Sequence, residues 1–552
     1  MKKNVLGRML KYLVPYKKLL VASFVSALLS VPLGLLGPVF IGRAVDAVVG
    51  QGNVDFTAVA HSLVMLAITA LLSAFLQWVT QVYTRKISAY AAQEMRRQAF
   101  SRINRVPLKN IDTHAHGDLV SRLVNDADAV SEGFLQGMTQ LFPGIITIAA
   151  TIVLMLILSP AIALVVIVVT PLSILFAHLI TLRTGKLFLQ QNTAQGKVSG
   201  FVNEKVNNQA LLRAFGYEEA SENEFSDVNQ EYYEANFKAT WYSSIINPGT
   251  RFVNAVVYAA VGVFGAISAI GGGITVGGLS AFLAYANQYT KPFNEITSVI
   301  TQLQNAVAGA ERLFEVIDWP AEAPDKEDAI APESCTGEVA AQDVYFSYSP
   351  ERPLIRNFNL QAAPGQRIAL VGPTGCGKTT IINLLMRFYE LNSGKILVDA
   401  KDITEIKRNS LRGLYGMVLQ ETWLKKATVR ANIAYGRPNA SKEEVVAAAK
   451  AAYAHSFIKR LPQGYDTVIE SGGGNLSAGQ KQLLCIARIM LAKPDMLILD
   501  EATSSIDTRT EMLIHQALEK LMAGHTSFIG AHRLSTIQNA DTILVMRDGQ
   551  II

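Results

Sequence analysis

Residues 367–388 read RIALVGPTGCGKTTIINLLMRF, and they predict a strand, a phosphate-binding loop and a helix in the second half of the chain. The apolar run at 368–371 predicts a buried strand, and the apolar stretch at 381–388 predicts the helix that follows it. The loop between them fits GxxxxGK[ST], whose glycines let backbone N–H groups wrap phosphates at a helix N-terminus. Lys378 is predicted to reach the β- and γ-phosphates of a nucleotide, and Thr379 to ligate Mg²⁺. The residues predicted to bind nucleotide here are Gly372, Pro373, Thr374, Gly375, Cys376, Gly377, Lys378, Thr379 and Thr380.

A second apolar strand, at 496–499, ends in two acids, Asp500 and Glu501. A buried strand places the first acid at the Mg²⁺ shell, and the second then polarises the attacking water. The alternative is a strand capped by ordinary turn acids. Because short apolar runs alternate with helical stretches, residues 336–552 are predicted to form an α/β P-loop ATPase domain with a largely parallel sheet.

The first half of the chain is dominated by apolar runs that are long enough to cross a bilayer. Half of all residues are hydrophobic and the mean hydropathy is +0.24. A membrane-spanning helix needs about 20 apolar residues, and six stretches are predicted to span: 19–41, 59–83, 134–158, 161–182, 252–270 and 279–299. The run at 19–41 is too long for a signal peptide. The prediction is an all-α six-helix transmembrane domain (1–318) with long cytoplasmic extensions, and then a linker (319–335).

The distribution of basic residues predicts the orientation in the membrane. The connections after the second and fourth runs are rich in Lys and Arg, whereas 50–55, 159–160 and 271–278 contain neither. The positive-inside rule therefore puts both termini in the cytosol, in a multi-pass protein of a bacterial inner or plasma membrane. Because the basic residues flank apolar runs, the net charge of +5 indicates contact with a membrane and not with nucleic acid. The three cysteines lack CxxC spacing, which argues against a zinc site and fits a reducing cytosol.

The two long basic connections are predicted to be helical, since residues 85–105 contain no Gly or Pro. Each connection has one break in its pattern, at 107–117 and at 216–224. These breaks either dock on the cytosolic domain or are simple connectors.

Further motifs follow the phosphate loop in a fixed order. They are Gln420, LSAGQ at 476–480, ILDEATSSID at 498–507, and the triplet Ala531-His532-Arg533. In this order they resemble the nucleotide-binding domain of ABC transporters, and the preceding six-span domain is similar to that of ABC exporters. GDLVSRLVNDADAV (117–130) and RAFGYEEASENEF (213–225) resemble the two cytoplasmic loops of that family. The resemblance covers nearly the whole chain and implies a half-size exporter driven by ATP.

The resemblance also implies roles for single residues around ATP. Tyr348 would stack on adenine, Gln420 would touch Mg²⁺ and the attacking water, and His532 would contact the γ-phosphate. The implied catalytic residues are Glu501, His532 and Gln420, and the implied metal ligands are Thr379, Gln420 and Asp500. Without the family, Tyr348 is a plain strand aromatic and His532 a surface or core histidine.

The signature segment implies that two chains share each ATP. Ser477, Gly479 and Gln480 would bind the nucleotide held by the opposite subunit, and Asp507 would communicate between the two sites. The functional form is therefore expected to be a dimer. Ala478 stands where the family norm is glycine, and an alanine is tolerated there if its φ is negative. Exporter subunits that keep the catalytic glutamate beside an altered signature are often half of an asymmetric pair, so a heterodimer is favoured over a homodimer.

Residues 424–428 depart from the family, which usually has an aromatic and then a glycine there. Cys376 lies inside the phosphate loop, where it is either merely a small residue or a thiol activated by the helix N-terminus, and its alkylation is predicted to block ATP binding.

The last apolar run carries the polar residues that would mark a transport path. They are Asn287, Gln288, Tyr289, Lys291, Asn294 and Glu295, with Phe282, Phe293, Tyr242 and Tyr258 as apolar complements. Lys291 and Glu295 alternatively neutralise each other as an i,i+4 pair. The mixed surface favours the export of amphipathic drugs or lipids, with a dedicated lipid flippase or peptide exporter as the alternative and an ATP-gated channel as a remote one.

Overall fold

The computed structural model describes residues 2–48, 54–349, 352–419, 422–500, 506–530 and 538–552. Contacts within the chain divide it into two units. The helical unit comprises Met1–Asn104 and His116–Asp318, and the α/β unit comprises Arg105–Ala115 and Trp319–Ile552.

α-Helices, several of them long, contain most of the described residues up to Ile317. In chain order they are α1 Lys2–Lys11, α2 Lys17–Leu35, α3 Gly37–Asp46, α4 Phe56–Ile103, α5 Leu108–Asp112, α6 His116–Ser121, α7 Ala127–Gln136, α8 Phe142–Leu158, α9 Pro160–Asn207, α10 Gln209–Ala214, α11 Glu218–Ser244, α12 Ile246–Ile270 and α13 Val276–Ile317. A 3₁₀ turn, Val14–Tyr16, joins α1 to α2, and π-helical turns, Arg122–Asp126 and Gly137–Leu141, flank α7.

The six apolar runs predicted to span all lie in these helices. Both α4 and α9 have 48 residues, which is about 70 Å of helix and roughly twice the thickness of a hydrocarbon core. By length and composition, Val5–Asp46, Phe56–Ile103 and His116–Leu158 qualify as membrane-crossing stretches, and Asn254–Ile270 is a shorter apolar helix. The side chains of 168–183 lie outside the described residues, so the count of six spans stays a prediction.

Close backbone contact joins α3 to α13 in the helical unit. A side chain at Gly277 would collide with the carbonyl of Gly42. The carboxylate of Asp46 accepts hydrogen bonds from Gly277 N and Thr275 Oγ1, both at 2.7 Å, and so closes the N-terminus of α13. Further along, the buried carboxylate of Asp126 pairs with Arg312 of α13.

Two sheets form the centre of the α/β unit. The strands are β1 Val339–Phe346, β2 Ile355–Ala362, β3 Arg367–Val371, β4 Ser393–Val398, β5 Lys401–Asp402, β6 Tyr415–Val418, β7 Met496–Asp500, β8 Thr526–Gly530, β9 Thr542–Arg547 and β10 Gln550–Ile551. One sheet is antiparallel with order β2-β1-β4-β5. The other has order β10-β9-β3-β8-β7-β6 and is parallel except for its β10 edge. The predicted parallel sheet is confirmed, and the antiparallel sheet is an addition to it.

Helices cover the parallel sheet and build a second core. They are α14 Lys378–Leu385, α15 Arg408–Leu414, α16 Val429–Ile433, α17 Lys442–Ala451, α18 His455–Ile458, α19 Ala478–Ala492 and α20 Thr508–Met522. One apolar cluster lies beneath the phosphate loop, around Ile381, Ile498 and Phe528. The other holds α17, α19 and α20 together.

The segment predicted to be a linker is bound along the α/β unit by charged groups. Asp325 accepts hydrogen bonds from the backbone N of Arg408 at 3.0 Å and from its Nη1 at 2.7 Å. Glu322 accepts one from Arg412 Nη2 at 2.8 Å. The backbone N–H of Ile330 donates to the carbonyl of Glu405, and its carbonyl accepts from the backbone N–H of Lys407, both at 2.9 Å. The segment is therefore an ordered strap and not a free tether.

The break in the first basic connection also belongs to the α/β unit. Leu108 packs against the core beneath the phosphate loop, and the backbone of Arg105 accepts a 2.7 Å hydrogen bond from Glu322 N. The hydroxyl of Tyr389 donates a hydrogen bond to the carboxylate of Asp112. In the second connection, α10 and α11 meet at a turn where Phe215 is exposed.

Candidate functional site: a phosphate loop and a signature helix

The phosphate loop leaves β3 and enters α14 with backbone geometry that glycine makes possible. Gly375 has φ +85° and Gly377 has φ +107°, both in the left-handed region. A side chain at Gly372 would collide with the carbonyl oxygen of Met546. Gly377 is the N-cap of α14 and provides no side-chain cap. The first N–H groups of α14 therefore have no competing side-chain acceptor at the N-cap, which suits the binding of an anionic phosphate.

Lys378 is nearly buried, at 8% exposure, and lies across the loop. Its Nζ donates hydrogen bonds to the carbonyl oxygens of Gly372 at 2.7 Å and Pro373 at 3.2 Å. These contacts hold the ammonium group beside the N-terminus of α14, where phosphate oxygens would be the stronger, charged acceptors. Thr379 is exposed, and its hydroxyl is a suitable ligand for the Mg²⁺ that accompanies a nucleotide.

Tyr348 lies beside the phosphate-loop helix in a cluster of aromatic rings. Its hydroxyl is 3.2 Å from Thr380 Oγ1, and its ring meets those of Phe346 and Tyr389 edge-on at centroid distances of 4.9 and 5.0 Å. Tyr348 is partly exposed whereas Thr380 is buried. The cluster therefore presents a partly exposed aromatic ring beside α14, and the adenine contact of Tyr348 stays a prediction.

The register of the parallel sheet places Asp500 at the same level as the phosphate loop. Leu370 of β3 and Asp500 of β7 both pair with Gly530 of the intervening β8, so they stand two strand spacings apart, roughly 10 Å. A Cβ on Gly530 would lie 3.1 Å from Asp500 Oδ1, so this glycine leaves room for the carboxylate. The sequence reasoning missed Gly530; its position just before Ala531-His532 was the available signal.

Three predicted catalytic residues, Gln420, Glu501 and His532, lie outside the described residues. The described strands β6, β7 and β8 end at Val418, Asp500 and Gly530. These parallel strands all end at the same edge of the sheet. The catalytic roles of Gln420, Glu501 and His532 stay predictions.

The signature segment forms the N-terminus of α19 through a capping box. Ser477 Oγ accepts a hydrogen bond from Gln480 N at 3.3 Å, and Gln480 Oε1 accepts one from Ser477 N at 3.0 Å. Ala478 is the first residue of the helix and is not among the residues with positive φ. Alanine therefore fits the backbone at this position without strain.

Gly479 is buried where α19 crosses α20. A Cβ built on it would lie well inside 3.0 Å of Thr510 Cγ2 and 3.1 Å from Ile506 Cγ2. The close approach of the two helices therefore requires glycine here, independently of any phosphate.

Asp507 is the N-cap of α20, and its Oδ1 accepts a 2.9 Å hydrogen bond from Thr510 N. This backbone hydrogen bond holds the pKa of the Asp507 carboxyl below its usual value. In the described part of the chain, no hydrogen bond or ion pair joins Ser477, Gln480 or Asp507 to the phosphate loop. The predicted residues thus form two groups within one chain.

The divergent segment at 424–428 is held by a residue that the sequence reasoning missed. Asn432 is almost fully buried; its Oδ1 accepts a hydrogen bond from Lys425 N and its Nδ2 donates one to Lys425 O, both at 2.9 Å. Arg488 of α19 donates to the carbonyl of Asn432 at 3.0 Å. This segment is therefore tied directly to the signature helix.

The cysteines are poorly placed for reaction. Cys376 is 3% exposed, with its Sγ 3.9 Å from Lys378 Nζ. Burial, together with Asp495 and Asp399, raises the pKa of Cys335 to about 12. Burial also raises the pKa of Cys485.

Comparison with known proteins identifies the family. Residues 20–293 match the protein family described as the ABC transporter transmembrane region, and residues 355–504 match the family described as ABC transporter. The chain is 41% identical, over 92% of its length and 80% of the relative's, to the fatty acid ABC transporter ATP-binding/permease protein of Mycobacterium bovis. It is 33% identical to the putative multidrug export ATP-binding/permease protein YgaD of Bacillus subtilis, over 100% of this chain and 96% of that one. A solved structure of a bacterial Atm1-family ABC exporter with ATP bound is similar at a TM-score of 0.75 and 29% identity, covering 97% of this chain and 94% of that one.

The chain therefore belongs to the ABC transporter family. It is a membrane-spanning half-transporter that carries one transmembrane region and one ATPase region, and it couples ATP hydrolysis to export. Half-transporters of this family generally work as dimers.

Proposed function

We propose that this chain exports an amphipathic molecule, an acyl-chain lipid or an amphipathic drug, and that one face of α13 lines the path. The observation that supports this is a polar stripe on α13. Asn287, Lys291 and Glu295 recur every four residues, so they share one face of the helix, and all three are exposed. A charged side chain is costly against lipid, so such a stripe belongs on a water-filled cavity or an interface.

The opposite face of α13 is apolar and packed. Phe282, Tyr285 and Tyr289 are buried there, and the hydroxyl of Tyr285 donates to Leu35 O at 2.6 Å. Among the described residues no ion pair joins Lys291 to Glu295, so the mutual neutralisation considered above is not formed. A cation, an anion and an amide beside aromatic groups suit a substrate with both a polar head and an apolar body.

The relatives support the same class of substrate. The Mycobacterium bovis protein is named for fatty acids and the Bacillus subtilis protein for multidrug export. A fatty acid has a polar head and an apolar chain, which fits a path that offers both kinds of side chain.

Transport by proteoliposomes that contain this chain together with its partner half-transporter tests this proposal. The rates to measure are export of a fluorescent fatty acid and of an amphipathic dye, with substrate-stimulated ATPase activity. Lys291→Gln should lower stimulation several-fold while basal hydrolysis stays the same. Lys291→Arg should retain stimulation, and so should Lys238→Gln, which removes an exposed lysine from α11. Unchanged transport in Lys291→Gln would remove the stripe from the path, and ATP-dependent electrical currents would favour the channel alternative.

We propose further that the partner is a different half-transporter and that Mg²⁺ is held by Thr379, Asp500 and Gln420. The test is Mg-ATP hydrolysis by this chain purified alone in lipid, beside a Glu501→Gln variant. Turnover that Glu501→Gln abolishes would establish a competent homodimer and refute the heterodimer. No turnover alone, restored by a co-encoded half-transporter, is the expected result.

We also propose that both termini face the cytosol of a bacterium, in its inner or plasma membrane. The basic connections between the apolar runs support this orientation. Protease digestion of sealed vesicles of known orientation tests it, because fragments of the α/β unit should form only where the cytosolic face is outside.

A further inference from the structure

A groove of about 400 Å³ lies on the helical unit beside α1. Its walls come from α1 and the turn after it, the start of α2, α7 with the π-helical turn that follows, and Leu303 of α13. Apart from Lys17, the lining consists of apolar side chains and two glycines. The volume lies within the range of small-molecule sites.

Specific contacts hold α1 in place as one wall of this groove. Arg8 Nη2 donates to Asp318 Oδ1 at 2.8 Å, and the Arg8 guanidinium lies 4.1 Å from the ring centre of Phe314. Met9 is fully packed beneath the helix. The side chains on the groove side are half exposed, at 48% for Leu6, 51% for Leu10 and 62% for Val14.

The position of the groove along the chain places it at a membrane interface. Lys17 begins α2, directly before the first apolar run. A lysine at the start of an apolar span keeps its ammonium group at the level of the lipid headgroups. The apolar walls beside it then face the outer part of the hydrocarbon layer, where a lipid chain is the available occupant.

We propose that this groove binds an anionic phospholipid, with one acyl chain between α1 and α7 and the phosphate on Lys17. Lipid chains are as apolar as leucine, so the walls favour an acyl chain without choosing among headgroups. Lys17 provides the selectivity for the headgroup, because its positive charge complements a headgroup with a net negative charge. One basic residue near an anionic lipid surface corresponds to about a fivefold preference.

Native mass spectrometry of the full chain, titrated in detergent with phosphatidylglycerol or phosphatidylcholine, measures this preference. The wild type should retain one phosphatidylglycerol about fivefold more strongly than phosphatidylcholine. Lys17→Gln should abolish the difference, and Lys17→Arg should keep it. Lys18→Gln is the matched control, because Lys18 is the adjacent exposed lysine and does not line the groove.

A second variant tests the groove itself. A Cβ on Gly137 would lie 3.7 Å from Leu303 Cδ2, an ordinary contact, so the rest of a leucine side chain would enter the groove. Gly137→Leu should therefore reduce retention of both lipids, while an unchanged melting temperature shows that the protein is folded.

Three results would overturn the proposal: equal retention of the two lipids by the wild type, equal losses in Lys17→Gln and Lys18→Gln, or undiminished retention in Gly137→Leu. Displacement of the retained phosphatidylglycerol by an equimolar fatty acid would also overturn it, because the site would then bind free anionic amphiphiles and not phospholipid.

Discussion

Gly479→Ala tests whether the signature glycine is required by helix packing as well as by nucleotide. The added Cβ would lie well inside 3.0 Å of Thr510 Cγ2, so α20 must move by about 1 Å to reach an ordinary contact. Overpacking of this kind costs about 1–3 kcal/mol, and the better helix propensity of alanine returns less than about 1 kcal/mol. A net loss of about 1–2 kcal/mol corresponds to a fall of about 2–8 °C in the melting temperature of a unit of this size.

The assay is thermal unfolding of the full chain in detergent without nucleotide, which separates packing from catalysis. Thr510→Ser in the Gly479→Ala background removes the colliding methyl and keeps the hydroxyl that contacts Asp507. The remaining neighbours, Ile506 Cγ2 at 3.1 Å and Thr510 Cβ at 3.3 Å, are tight but tolerable. The double variant should therefore recover most of the stability, while ATP hydrolysis, measured with the partner half-transporter present, stays low if Gly479 also binds phosphate.

Gly413→Ala is the matched control, because nothing lies within 4 Å of a Cβ at that position in α15. Its melting temperature should equal or slightly exceed that of the wild type. The reasoning is refuted if Gly479→Ala melts like Gly413→Ala, or if Thr510→Ser restores nothing.

Three more predictions follow from the α/β unit. Tyr389→Phe removes the hydroxyl that donates to Asp112 and should lower the free energy of unfolding by about 1 kcal/mol, since the exposed carboxylate regains water. In thermal unfolding, adding Asp112→Ala to Tyr389→Phe should lower stability little further. Full additivity of the two changes would disprove the contact. Asp507→Ala should lower the melting temperature because α20 loses its N-cap, whereas Asp507→Asn should keep it at neutral pH. Because the folded pKa of Asp507 is lowered, its extra stability is present above about pH 4 and is lost as the pH falls through the folded value, a decline that the Asn variant should lack. Maleimide should label Cys376 slowly in the native protein and rapidly in denaturant; ATP binding should fall with labelling, and equal sensitivity of Cys376→Ser would contradict this.

The parts of the fold that were predictable are those written in local patterns. Apolar runs gave the long helices, and the strand before Gly372 gave the parallel sheet. The antiparallel sheet was missed because the pairing at its centre is non-local: β1 pairs with β4, about 50 residues later, and only the outer pairs β1–β2 and β4–β5 are close in sequence. The ordered strap at 319–335 was missed for a similar reason. Its acidic composition reads as solvated surface, and only the folded unit brings Asp325 to the backbone of Arg408.

The same distinction holds at the nucleotide site. The phosphate loop is contiguous, so its residue types and spacing were enough to predict it. The role of Gly530 depends on the sheet register that sets it opposite both Leu370 and Asp500. The role of Asn432 depends on a turn that brings Lys425 back to it. Neither relation is visible in a single sequence, because each joins residues through backbone geometry and not through a motif.

Ala478 bears on the proposed heterodimer because the structure shows no effect of this alanine on folding. It begins α19 with a helical backbone and a complete capping box beside it, and alanine is a better helix former than glycine. The resemblance to ABC exporters implies that the signature meets phosphate in the partner subunit, and any cost of Ala478 would then fall on that contact. In a homodimer both ATP sites would then combine a complete phosphate loop with a weakened signature. In a heterodimer with an unaltered partner signature, the site that uses this chain's Glu501 would be the undamaged one, and that distribution keeps one site fully active.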